Sequence, residues 1–226
     1  MKVTTNRANA HRVLSVIFCS VMIAVAIVGF ASCDKQNDKG EDEIVNNTEE
    51  VGVTIAGVTW ATRNVDAPGT FAEKPSDYGM FYQWNRNVGW SSTEEIVSGW
   101  YSGTPTGDTW EIANDPSPLG WRVPTFAELE TLFDEEKVSH EWTTIDGETG
   151  LLFTDKFNDN SIFLPAAGCR DVGGVIYRQS VNGYYYSSTP RATGIAYSLK
   201  FSIYNHEWEW ECLNGAYGRS IRCVAK

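Results

Sequence analysis

The longest apolar run of the chain extends from Val13 to Ala31 and is preceded by Lys2, Arg7 and Arg12 with no acidic residue. A basic flank followed by an apolar core is the layout of a secretory signal. The run also approaches the roughly 20 residues that cross a bilayer, so an uncleaved anchor is the competing reading. Under both readings the positive flank stays inside, and everything after the run lies on the far side of the membrane. From Asp34 to Glu50 (DKQNDKGEDEIVNNTEE) large apolar positions almost vanish. Such a stretch cannot bury enough surface to offset its chain entropy, which predicts a disordered tether.

Apolar positions return at Val51, now in short runs. Val51 to Val65 reads as a hairpin, with Val53 and Ile55 facing Val58 and Trp60 across a turn at Ala56-Gly57. Tyr78 to Trp84 reads as a short buried strand. Asn85 to Ser117 is rich in Gly, Ser, Thr and Trp and reads as a long ordered loop, of the kind that often carries function. After Pro124 the period changes. Thr125 and Glu128 form a capping-box pair, and Phe126, Leu129, Leu132 and Phe133 share one helical face. Asp134, Glu135 and Glu136 oppose the dipole at the far end, so that end should fray. Strand patterns follow over 161–166, 183–188, 196–204, 207–212 and 218–225. One helix, several strands and long loops predict an α+β domain over 51–226, after a signal (1–32) and a tether (33–50).

Charge narrows the function classes. Removing residues 1–32 takes away three basic residues and no acidic one, so the formal charge moves from −11 to −14. A phosphate footprint needs clustered Lys and Arg, so nucleic acid is not an expected partner. The same charge keeps the domain off anionic membranes unless it is anchored. All nine Trp lie after residue 51, and most must be core. Of five cysteines, Cys19 falls in the signal. Cys169, Cys212 and Cys223 leave an odd number for an oxidising compartment, where one disulfide and one free thiol is the simplest outcome. The sequence does not choose the pair.

The end of the leader, Phe30-Ala31-Ser32-Cys33, resembles the lipobox of bacterial lipoproteins, which implies lipidation of Cys33 and tethering through that lipid alone. The acidic residues after it resemble the surface-export signal of Bacteroidetes lipoproteins. Further motifs follow in order. They are Thr59-Trp60-Ala61-Thr62-Arg63-Asn64-Val65, Tyr78-Gly79-Met80-Phe81-Tyr82-Gln83-Trp84, Pro118-Leu119-Gly120-Trp121-Arg122-Val123-Pro124-Thr125, Tyr185-Tyr186-Ser187-Ser188-Thr189 and Ser220-Ile221-Arg222-Cys223-Val224. As a set they resemble the Fibrobacter succinogenes major paralogous domain family over nearly the whole chain from residue 51. The resemblance implies a C-type-lectin-like fold with short antiparallel sheets. It also implies structural roles for Trp60, Trp84, Trp121, Arg122, Pro124 and Arg222. Two positions depart from the family pattern. Ser117 stands where a cysteine partner for Cys223 is usual, and Tyr186 replaces a Trp.

Catalytic signatures are missing from the sequence. No HExxH, GxSxG or phosphate-cradling glycine loop occurs, so no enzyme is expected and no cofactor is required. The most informative patch is Asn205 to Glu211. In a strand Trp208 and Trp210 share one face, with Glu207, Glu209 and Glu211 on the other. The indoles then form either a platform for sugar rings or part of the core. The clustered carboxylates could also attract calcium. Trp90 and Trp100, among small polar residues, resemble a binding loop or else plug that loop onto the domain. Tyr184, Tyr185 and Tyr186 alternate across a strand, so one face could bury Tyr185 while Tyr184 and Tyr186 line a surface. The expected function is a non-catalytic surface module that binds a glycan or a surface protein. The alternative is a structural subunit, for example of a pilus assembly.

Overall fold

The structure, a computed structural model, describes residues 50–226. The apolar leader, Cys33 and tether residues 34–49 lie outside the described residues. Val53–Ile55 (β1) and Val58–Asn64 (β2) form the expected hairpin, with Ile55 opposite Val58. Ala56 and Gly57 turn the chain at φ 48° and 84°, the left-handed pair that a tight hairpin requires. Glu50, expected in the tether, belongs to the fold. Its carboxylate accepts hydrogen bonds from the Thr62 amide and hydroxyl and pairs with Arg63 at 2.7 Å.

Phe81–Tyr82 (β3) and Gly89–Trp90 (β4) make a small ribbon. Trp121–Arg122 (β5) precedes the helix Phe126–Thr131 (α1). Val138–Ile145 (β6), Glu148–Asp155 (β7) and Ser161–Pro165 (β8) form an antiparallel meander. Cys169–Arg170 (β9) pairs with Ile176–Tyr177 (β10). Asn182–Ala192 (β11), Ile195–Ser202 (β12) and Trp208–Asn214 (β13) form a three-stranded sheet. Arg222–Ala225 (β14) returns to lie between β2 and β5.

The expected α+β, C-type-lectin-like class is corrected here. The described chain is mostly β, with 44% strand and 5% helix, several small sheets and one short helix. Two local causes account for the difference. The capping box at Thr125 and Glu128 forms as its residues dictate, but the helix lasts only six residues. Asp134 then accepts a hydrogen bond from the Glu136 amide and pairs with Lys137 at 2.7 Å, turning the chain toward β6. The second cause is the β6–β7 hairpin, which lies in a stretch assigned to no element from sequence. Asp146 and Gly147 take φ 51° and 91° at its turn, and an Asp-Gly pair is a strong two-residue hairpin signal.

The larger core cluster joins Ile55, Trp60, Leu129, Phe153, Tyr185 and Phe201 from α1 and three sheets. A second cluster holds Trp121, Val123, Ile221 and Cys223. Trp60 and Trp84 are wholly buried, as is Arg222. Arg222 donates to Asn64 Oδ1 at 3.0 Å and to the Thr62 carbonyl at 2.8 Å. Burial lowers its pKa, because a charge without water is disfavoured. Arg122 pairs with Glu128, and the Pro124 carbonyl accepts the Ser188 amide at 2.7 Å. The expected disulfide is absent: Cys169, Cys212 and Cys223 are all free thiols.

Candidate functional site

The sheet β11–β12–β13 has two unlike faces, and the register explains both. Gly183, Phe201 and Trp208 lie in one row across it, and Tyr185, Leu199 and Trp210 in the next. Those rows face the core. Tyr184, Lys200 and Glu209 form the row between them. Alternation therefore sends this row, with Asn182 and Ser202, to the opposite face.

That polar face floors an open groove of about 410 Å³. Tyr177 and Arg178 wall it on the β11 side, and Tyr204, Asn205, Glu207 and Trp208 wall it from the turn into β13. Two aromatics on the rim keep substantial exposure: Tyr204 at 73% and Tyr177 at 48%. Arg178 and His206 hold left-handed φ of 61° and 54°. Residues other than glycine seldom adopt that region, and such positions cluster where geometry is held for a purpose.

The floor is electrically balanced. Lys200 pairs with Glu209 and reaches Glu211 at 3.4 Å. Glu211 also pairs with the buried Arg219 at 2.9 Å. Burial works against the Lys200 charge, but the hydrogen bond it donates to Glu209 and the nearby carboxylates outweigh it and raise its pKa. The Arg219 guanidinium lies over the rings of Tyr184, Tyr186 and Tyr217 at 5.3–5.6 Å. Tyr184 itself is 5% exposed; burial, then the nearby Cys169, pushes its hydroxyl up to about 12. It therefore enters the groove as a neutral hydrogen-bonding phenol.

The structure separates the residues singled out from sequence. Tyr184, Glu207, Trp208 and Glu209 meet at the groove. Trp210 lies behind it against the core. The two indoles are not coplanar: Trp208 and Trp210 meet at 74°, with centroids 5.9 Å apart. Trp208 stacks on Phe133 at 4.0 Å and Trp210 packs on Phe126 at 4.6 Å, so both hold β13 against α1 and the turn that follows it. Trp90 and Trp100 do not line this groove. They pack on each other at 5.1 Å, and Trp100 donates to the Val172 carbonyl at 3.0 Å, pinning the long loop to the β9–β10 turn. Arg170 fastens the same loop through the Ser91 carbonyl at 2.7 Å. Cys33 lies outside the described residues.

Sequence reasoning missed Tyr177, Arg178, Lys200 and Tyr204. Only Lys200 carried a usable signal, since pairing the strands at 183–188, 196–204 and 207–212 places it between an aromatic and a carboxylate. Among the described residues no group of three or more His, Cys, Asp or Glu side chains converges on a common point, and no helix is long and apolar enough to cross a membrane. Comparison with protein-family models, with curated proteins and with solved structures yields no match.

Proposed function

We propose that this chain is a non-catalytic, lipid-anchored module of the extracytoplasmic surface, and that the groove on β11–β12–β13 binds a glycan. The observation that carries this reading is the composition of the groove. Exposed Tyr177 and Tyr204 border a floor of Asn182, Ser202, Lys200 and Glu209. Sugars present apolar ring faces edged by hydroxyls, so aromatic walls over a hydrogen-bonding floor suit them. Two features support fixed geometry: the floor is a hydrogen-bonded sheet, and Arg178 in the wall occupies a left-handed conformation.

The anchored setting rests on the leader, the lipobox-like Phe30-Ala31-Ser32-Cys33 and the acidic tether. The resemblance of the later motifs to the Fibrobacter major paralogous family, common in Bacteroidetes lipoproteins, supports the same setting. Two experiments test the two halves. Mass spectrometry of the mature N-terminus should find a lipidated Cys33 and none in Cys33→Ser; an intact Met1 start would refute the anchor. A glycan array probed with the full chain in detergent should give binding that Tyr204→Ala removes.

A further inference from the structure

The groove is polarised. Its β13 side presents Glu207 and Glu209, while the floor cation Lys200 is already occupied by Glu209 and Glu211. Its β11 side presents Arg178, which forms no ion pair among the described residues. The chain around it is strongly acidic, with 29 Asp and Glu against 18 Lys and Arg. Of the two cations that line the groove, Lys200 and Arg178, only Arg178 is left free to meet a ligand's charge.

Arg178 is also held in place. Its backbone is left-handed at φ 61°, and its carbonyl accepts the Asn182 amide at 3.0 Å. Its guanidinium lies 5.0 Å from the Tyr177 ring, a cation–π arrangement that orders the side chain before any ligand arrives. The planar guanidinium fork matches a carboxylate through two parallel hydrogen bonds. Across the groove, Glu207 and Glu209 can only accept hydrogen bonds when ionised, which suits sugar hydroxyls and repels a second carboxylate.

We propose that the groove selects glycans built from uronic acids, with Arg178 receiving the sugar carboxylate. Tyr177 and Tyr204 cover the ring, and Glu207 and Glu209 take its hydroxyls. This assignment rests on the glycan reading of the groove and narrows it to one class of sugar. The residual negative charge of the domain opposes such a ligand only weakly at physiological salt, where screening acts over about 8 Å.

The test uses the full chain in detergent against polygalacturonate, alginate and hyaluronan, each beside its carboxyl-methylated ester, with a panel of neutral glycans in parallel. Wild type should bind at least one of the acids about tenfold or more tighter than its ester. Arg178→Gln should abolish that preference by bringing binding of the acid down to that of its ester, whereas Tyr204→Ala should weaken both acid and ester. Equal binding of acid and ester, or a preference that survives Arg178→Gln, overturns the uronate assignment. Binding to neutral glycans alone overturns it too, yet leaves the glycan reading standing. Binding to nothing overturns both.

Discussion

The thiol of Cys223 donates a hydrogen bond to the hydroxyl of Ser117 across 3.1 Å, joining a loop residue to β14. Ser117 is the position at which the sequence resemblance implies a cysteine, and the structure puts its side chain within reach of Cys223. A disulfide needs a sulfur separation of about 2.05 Å, so a modest local shift would suffice. Ser117→Cys should therefore oxidise to a disulfide with Cys223. Closing a loop of this length stabilises a fold by about 2–4 kcal/mol. Thermal unfolding with and without reductant checks this: the melting temperature of the variant should rise only in the oxidised sample.

Wild-type thiols should differ sharply in reactivity. Burial pushes the Cys169 and Cys223 thiols up to about 12, whereas Cys212 lies exposed on β13. The thiolate is the reactive form. Alkylation of the native chain near pH 8 should label Cys212 and spare the other two, and denaturant should release both. Peptide mapping after labelling reads the result directly.

Stability should fall at both ends of the pH range, for different reasons. Glu50 and Glu128 sit below their ordinary 4.5: burial opposes the charged form, but hydrogen bonds from Thr62 and Arg122 respectively, with other bonds and charges, outweigh it. Their contribution is present above that pH and is lost as pH falls through the lowered values. Burial raises Cys169 and Cys223, and also Tyr78 and Tyr184, up to about 12. The unfolded chain releases those protons from about pH 9 upward while the native chain retains them, so stability declines from there toward pH 12. Urea midpoints near pH 3, 7 and 10.5 should be highest at the middle value.

Trp208 and Trp210 should prove to be structural first. Truncating a large aromatic in a packed site costs about 3–5 kcal/mol, and less where the ring is partly exposed. Trp210→Ala should therefore cost about 3 kcal/mol and Trp208→Ala about 2 kcal/mol, both through lost contact with α1 and the turn after it. Tyr204→Ala, at a residue 73% exposed, should leave stability within about 0.5 kcal/mol of wild type. Chemical denaturation of the three variants separates packing from ligand contact.

How far the sequence revealed all this can be judged from particular residues. The hairpin at Ala56-Gly57 and the capping box at Thr125 and Glu128 were legible, because each depends on a few neighbouring residues. The alternation of Trp208 and Trp210 against Glu207 and Glu209 was legible as well. The side on which those indoles would pack was not, because Phe126 and Phe133 reach them from α1 and the turn after it, some 80 residues earlier. The β6–β7 hairpin carries a readable signal in Asp146-Gly147, and with it much of the β content. The groove walls were hidden for another reason. Arg178 turns the chain in a left-handed conformation that an arginine seldom adopts, so only the folded backbone shows that Tyr177 and Tyr204 face one cavity.

Whether Tyr177 and Tyr204 make a sugar-binding groove is decided by equilibrium titration of the full chain against the glycans selected on an array. Anchoring aromatics commonly carry more than 1 kcal/mol of binding energy each. The account predicts that Tyr177→Ala/Tyr204→Ala weakens binding by about tenfold or more while the melting temperature stays within about 2 °C of wild type. A wild-type chain that binds no glycan, or a double variant that binds as tightly as wild type, would contradict it.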